Sequence, residues 1–229
     1  MEIIPAILPK DFAEIEEKTE LITGLAKVVQ VDVCDGKLTP LSTWPYKKHD
    51  ENFEAILREE KGMPGWEKID YEFDLMISEP TEDDARKWLS AGAARIVLHE
   101  ESSKDLTPAI AILSGLVEIG LALDVSTPLD VIEKYKDKIS YVQLMGIRKI
   151  GFQGQDFDQT VLDRLKTVKE KYPDLKIQID GGVTLENASL LKDAGADRLV
   201  TGSALFGAHA DLADTAGDVV DTYAEFKAI

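Results

Sequence analysis

The sequence predicts an α/β fold, a (β/α)8 barrel of the TIM type, and three observations carry that expectation. Apolar, β-rich runs alternate with helix-like patterns along all 229 residues; such alternation means a parallel sheet, and eight strands close one into a barrel. Near the C-terminus, Gln178-Ile179-Asp180-Gly181-Gly182-Val183 and Leu199-Val200-Thr201-Gly202-Ser203-Ala204 each end an apolar run in small residues where a helix-like segment begins. They stand about 20 residues apart, as consecutive βα units require. An open doubly wound sheet is the alternative, but no G-x-G-x-x-G follows the first strand. No linker, repeat or low-complexity tract divides the chain, so residues 1–229 are read as one domain.

Taken in order, the strands fall at 2–8, 27–33, 70–77, 94–98, 117–123, 139–145, 176–180 and 197–201. Helical patterns follow at 11–23, 51–60, 81–90, 105–114, 128–136, 157–171, 184–194 and 211–227. Asp11 and Thr81 have the chemistry of N-caps, and Asp84, three residues after Thr81, makes a near capping box. Gly92 and Gly195 stand where helices end. The acidic stretch 51–60 reads as a solvated helix face. The longest connection, 34–50, follows the second strand at the catalytic end of a barrel. Its prolines and aromatics shape it as a lid or pocket wall, with mere decoration the alternative. The 61–66 segment lies on the opposite rim and reads as structural.

A net charge of −17 argues against binding nucleic acid or an anionic membrane through a general field. Any phosphate must then be caught by local dipoles or a local cation. The single cysteine, Cys34, excludes an intrachain disulfide and fits a reducing, cytoplasmic setting. No basic leader precedes an apolar segment, and no apolar stretch reaches transmembrane length.

Glycine backbone can approach a ligand closely, and N–H groups at a helix start favour an anion. Gly181-Gly182 and Gly202-Ser203 are therefore either a phosphate site after strands 7 and 8 or simple strand ends. Strand parity places Gln30 with Asp32, Asp74 with Met76, Gln143 with Met145, and Gln178 with Asp180 on shared faces. Asp32 and Asp180 end their strands nearly across the barrel from each other, so both point into the mouth. Two carboxylates on opposite sides of a ligand suit a two-base epimerisation, in which one removes a proton and the other returns one to the opposite face. The alternative is that each merely caps the next loop.

These residues carry a resemblance. Pro5-Ala6-Ile7-Leu8, Val31-Asp32-Val33-Cys34-Asp35-Gly36, Leu75-Met76-Ile77, Gly120-Leu121-Ala122-Leu123, Thr127-Pro128-Leu129, Gly151-Phe152-Gln153-Gly154-Gln155, Asp180-Gly181-Gly182 and Gly202-Ser203-Ala204-Leu205-Phe206 are similar to segments of the ribulose-phosphate 3-epimerase family, along nearly the whole chain. The resemblance implies a ribulose-phosphate-binding barrel that interconverts ribulose 5-phosphate and xylulose 5-phosphate at C3. It places acid and base on Asp32 and Asp180, and phosphate on backbone near Gly154, Gln155, Gly181, Gly182, Gly202 and Ser203. Ala6, Met76 and Met145 would line the substrate pocket, with Cys34 where the family has a third methionine. The implied partner is a small phosphosugar, with a homo-oligomer left open.

The departures concern the metal. The resemblance implies a divalent ion held by two histidines and two aspartates, but the histidine positions are Gln30 and Asp74 here. The set Gln30, Asp32, Asp74, Asp180 is all oxygen. It would suit Mg or Mn better than Zn, and without an ion at least one acid should have a raised pKa. Ala6 replaces a substrate-holding serine, Leu41 an asparagine, and Arg148-Lys149-Ile150 an Asn-Pro. Arg148 and Lys149 are either phosphate contacts or a solvated basic pair. His99 ends strand 4 as a rim residue or a ligand, whereas His49 and His209 lie away from strand ends. Two functions stay open, a C3 epimerase and an inactive homologue that binds a phosphorylated metabolite or a partner protein. A lyase or decarboxylase on this scaffold would, by resemblance, need a lysine among the strand-end acids, and none occurs at 30–34 or 178–182.

Overall fold

In the computed structural model, which describes residues 1–152, 154–207 and 216–229, eight parallel strands close in sequence order. They are β1 (Glu2–Ile7), β2 (Val28–Cys34), β3 (Asp70–Met76), β4 (Ala93–His99), β5 (Glu118–Leu123), β6 (Tyr141–Met145), β7 (Lys176–Asp180) and β8 (Arg198–Thr201). Around them run α1 (Phe12–Ile22), α2 (Glu51–Leu57), α3 (Glu82–Ser90), α4 (Thr107–Leu113), α5 (Ile132–Tyr135), α6 (Thr160–Lys171), α7 (Leu185–Asp193), α8 (Ser203–Phe206) and α9 (Ala216–Ala228). All eight strand expectations hold within a residue or two.

The helices show how local chemistry sets their ends. The Asp11 carboxylate accepts the Glu14 N–H at 3.1 Å and opens α1. Thr81 and Asp84 close a full capping box on α3, and Gly92 and Gly195 follow α3 and α7 with φ of +87° and +107°. Several patterns come out shorter than expected, among them 105–114 and 157–171, which give α4 and α6. Residues 51–60 give only α2, because the chain turns at Glu59 with φ +60°. Residues 128–136 split into a 3-10 turn at Leu129–Val131 and the single turn of α5. Of the 211–227 pattern, residues 211–215 lie outside the described residues, as does His209, and the rest forms α9.

Period-two alternation sorts each strand's side chains. In β2, Val29, Val31 and Val33 pack outward under the helices, whereas Gln30 and Asp32 face the barrel interior. The outer layer is the main apolar core; the buried rings of Phe73 and Trp88 meet there at 4.6 Å. The interior is mostly polar instead of branched and apolar. At its floor, Arg198 pairs with Glu118 at 2.7 Å and Glu2 at 3.0 Å, and Arg95 pairs with Glu2 at 3.1 Å. Above them the Tyr141 hydroxyl donates to Glu72 at 2.7 Å. A Cβ at Gly120 would lie 2.5 Å from the Tyr141 ring, so only glycine leaves room for it. No helix of the described residues is long and apolar enough to cross a membrane.

Candidate functional site

Three glutamines set the acids of the mouth. Gln30, Gln143 and Gln178 are fully buried inside the barrel, with Gln30 in register with Glu72 across β2 and β3. The Gln178 amide donates to Glu72 Oε1 at 2.6 Å and Gln143 Oε1 at 2.8 Å. Gln30 Nε2 then donates to Asp32 Oδ1 and Asp180 Oδ2, both at 2.8 Å. Gln143 Nε2 donates to Asp74 Oδ2 at 2.9 Å and Asp180 Oδ2 at 3.2 Å. The other oxygen of Asp74 meets His99 Nε2 at 2.8 Å. Buried carboxylates need such donors, since unpaired they would be costly.

Register supplies the rest. Asp32 lies beside Asp74 across β2 and β3, and Asp180 beside Met145 across β7 and β6. Asp32 and Asp180 lean toward the axis from β2 and β7 and share one amide nitrogen, because Gln30 reaches both. One oxygen each from Asp32, Asp74 and Asp180 falls within 4.8 Å of the others.

The crowding shows in their acidity. Burial, and then the Asp74 charge, push Asp32 up to about 7 against the Gln30 hydrogen bond. Burial, followed by the charges of Asp32 and Asp74, holds Asp180 well above the usual carboxylate range. His99 is also raised: burial opposes its charge, but the Asp74 charge and hydrogen bond outweigh that. Burial, with the Asp32 charge, pushes the Cys34 thiol up to about 12.

Asp32 and Asp180 open onto one cavity with Ala6, Met76 and Met145. Its far end is formed by Gly154, Gly181, Gly182, Gly202 and Ser203, and its walls by Ile147, Phe152, Val183 and Val200. Sequence reasoning missed those wall residues. Gly182 has φ +68°, and a Cβ there would lie 2.8 Å from Phe157 Cα. Gly181 has φ +97°, and a Cβ there would meet Ile147 at 2.7 Å. Both glycines are therefore required by close packing of the β6 and β7 loops.

The Gln155 side-chain amide donates to the Lys149 and Phe152 carbonyls, at 2.6 and 3.0 Å, and so staples its own loop beside Gly154. Gln30 was expected to offer an amide oxygen to a metal, but it turns its nitrogen to the carboxylates while its oxygen faces Gln178 at 3.3 Å. The Arg148 guanidinium pairs with Asp158 at 2.6 Å, and neither Arg148 nor Lys149 lines the cavity. The 34–50 loop is pinned. The Thr43 hydroxyl donates to Asp32 O and accepts Cys34 N–H, both at 2.8 Å, and Trp44 packs on Phe12 and Phe53. A Cβ at Gly151 would lie 2.8 Å from Thr39 Oγ1, so this loop backs the cavity wall.

Fold and site together define a (β/α)8 enzyme-like barrel with an acid cluster at one end of its cavity and glycine backbone at the other. Residues 2–206 match the model of the ribulose-phosphate 3 epimerase family, and the chain belongs to that family. It is 34% identical over 215 residues to a ribulose-phosphate 3-epimerase of Bacillus subtilis (strain 168), covering 90% of this chain and 93% of that one. Against the enzyme of the same name from Escherichia coli (strain K12) the identity is 30% over 211 residues, 89% and 88% of the two chains. Among solved structures, 3-hexulose-6-phosphate synthase from Salmonella typhimurium aligns with a TM-score of 0.68 and 14% identity, over 99% of this chain and all of that one. A mutant tryptophan synthase alpha-subunit from Pyrococcus furiosus gives 0.69 and 14%, over 100% and 98%. Those two likenesses concern the fold alone.

Proposed function

We propose that this protein epimerises a ketose phosphate at C3, with ribulose 5-phosphate the substrate and Asp32 and Asp180 the acid and base. The observation that carries this reading is that both carboxyls are pushed upward while sharing the Gln30 amide at the edge of one cavity. Near neutral pH such a pair holds a proton between its members. It therefore presents one ionised and one protonated carboxyl, as two-base epimerisation requires.

The sugar phosphate enters with its phosphate toward the backbone of Gly154, Gly182 and Ser203, which supplies N–H donors without relying on the protein's unfavourable net charge. Its C3 then lies near the acids. The ionised carboxylate takes the C3 proton, the C–H electron pair passes into an enediolate, and the protonated carboxyl returns a proton to the opposite face of C3. Gln30 stays hydrogen-bonded to both carboxyls as their charges exchange. The Gln143 and His99 contacts hold Asp74 alongside them. Met76 and Met145 supply soft, apolar walls that keep water from the enediolate.

The acid cluster fits a hard divalent ion, since three carboxylate oxygens converge there and their mutual repulsion favours a cation. Asp32, Asp74 and Asp180 would hold it, with magnesium or manganese favoured over zinc by the oxygen donors. When bound, the ion supplies Lewis-acid stabilisation of developing negative charge.

A second reading, a phosphosugar-binding protein without turnover, draws on one observation. The Gln30 and Gln143 amides already satisfy the acids, and Ala6 offers no hydroxyl in the cavity. The two readings separate when purified protein is mixed with ribulose 5-phosphate, with and without Mn2+, and xylulose 5-phosphate is followed by NMR. Turnover abolished in both Asp32→Asn and Asp180→Asn supports the epimerase. Saturable binding without product supports the second reading.

A further inference from the structure

We propose an off-axis metal site between β4 and β5, in which His99 Nδ1, Glu101 and Asp124 hold one divalent transition ion of the zinc or cobalt type. The site is separate from the acid cluster of the mouth, and it does not depend on the epimerase reading. His99 ends β4, Glu101 follows it in a 3-10 turn at Glu100–Ser102, and Asp124 stands just past β5. The register pairs His99 with Ala122, which brings Asp124 alongside the turn. One ligand atom from each of the three residues falls within 4.8 Å of the others.

The imidazole supplies the independent evidence. His99 is fully buried, and its Nε2 is engaged by Asp74 Oδ1 at 2.8 Å. A carboxylate at Nε2 holds a proton there, so Nδ1 is the nitrogen left open to a ligand, and an ion arriving there displaces any proton it carries. Nδ1 has no hydrogen-bond partner in the protein and faces Glu101 Oε2 at 4.0 Å, beyond hydrogen-bond range. Asp124 Oδ1 is likewise buried and without a partner. His99 Nδ1 and Asp124 Oδ1 are buried without partners, and the exposed Glu101 stands beside them, so three donor atoms converge where a cation would join them.

The surroundings fit a metal centre. Glu101 Oε1 is fixed by the Asp124 N–H at 2.9 Å and by the Thr127 hydroxyl, which leaves Oε2 turned to the histidine. The nearby Arg164 guanidinium donates to the Asp124 carbonyl at 3.1 Å; among the described residues it forms no ion pair with either carboxylate. Asp74 behind His99 completes a carboxylate–histidine–metal arrangement, which orients the ring and raises its basicity. An imidazole with two carboxylates selects a borderline ion over magnesium or calcium. Through the His99–Asp74 contact, an ion here would be linked to the central acids.

The test uses the full chain, stripped with chelator and dialysed, then titrated with Zn2+ by calorimetry and with Co2+ by visible absorption. The expected result is one tight ion per chain, weakened at least tenfold in Asp124→Asn and in Glu101→Gln and unchanged within threefold in Asp32→Asn. Circular dichroism establishes that each variant is folded, and the exposed position of Glu101 makes its variant the safer of the two. Anomalous scattering from a zinc-soaked crystal should place the ion against His99 Nδ1. Absence of tight binding, binding as tight as the parent's in both rim variants, or loss of binding in Asp32→Asn would overturn the proposal. So would 15N NMR showing both His99 nitrogens still protonated in excess Zn2+, since the cation would then be the imidazolium itself.

Discussion

The amide nitrogen of Gln30 lies 2.8 Å from Asp180 Oδ2, joining β2 to β7 across the barrel mouth. The same nitrogen serves Asp32 at the same distance, so one neutral side chain ties together the two carboxyls proposed as acid and base.

Replacing Gln30 with methionine keeps the volume and removes the donor. The Gln30 hydrogen bond lowers the Asp32 pKa, so its loss should raise that pKa further and move the acidic limb of the pH–rate profile upward. Two buried carboxyls would also lose a partner, at a cost of roughly 1–3 kcal/mol each in stability. Denaturant titration and initial rates from pH 5 to 9 read both effects. An unshifted profile would show that Gln30 does not set the pair's acidity.

Gly182→Val should abolish phosphosugar binding. Its φ of +68° disfavours a β-branched residue, and its Cβ would lie 2.8 Å from Phe157 Cα, so the β6 and β7 loops must separate. Gly154→Ala is the comparison, because nothing lies within 4 Å of a Cβ there. Its φ of +72° costs on the order of 1 kcal/mol, and affinity should fall only a few-fold. Calorimetry with ribulose 5-phosphate distinguishes the two, and equal affinities would place the phosphate elsewhere.

Much of this was legible before the structure. Strand parity brought Asp32, Asp180, Met76 and Met145 to one side because side chains alternate strictly along a strand. The two late glycine clusters marked the other end of the cavity because few residues besides glycine tolerate the backbone that Gly181 and Gly182 adopt. What parity could not convey is which end of an amide faces an acid. Gln30 reads as an oxygen donor, yet the direction of its amide depends on the network it forms with Gln178, Gln143 and Glu72. Nor does spacing reveal that the Gln155 side chain closes its own loop on the Lys149 and Phe152 carbonyls. Glu72 shares the parity of Asp74, and that signal was available, but its pairing with Tyr141 spans β3 to β6 and needs the closed barrel.

The stability of the ion-free protein should fall as pH rises. Asp32 goes from an ordinary 3.8 to about 7 on folding, so the folded chain binds the extra proton between those values. Its contribution is complete below about 4 and is lost as pH passes through about 7, a change on the order of a few kcal/mol. Mn2+ competes with that proton, so it should stabilise the protein more at pH 8 than at pH 5. Melting curves in the Asp124→Asn background isolate the central cluster, and Asp32→Asn should flatten the pH slope. A rise in melting temperature from pH 5 to 8 without metal would contradict these assignments.

The central claim is that Asp32 and Asp180 exchange a proton at C3 of a ketose phosphate, and isotope entry measures it most directly. The protein is incubated with ribulose 5-phosphate in deuterated water, with and without Mn2+, and deuterium at C3 is followed by NMR and mass spectrometry. The account predicts solvent deuterium at C3 of both ribulose and xylulose 5-phosphate, with the rate lowered at least 100-fold in Asp32→Asn and in Asp180→Asn. Substrate that binds yet gains no deuterium at C3, or exchange that survives in either variant, would contradict it.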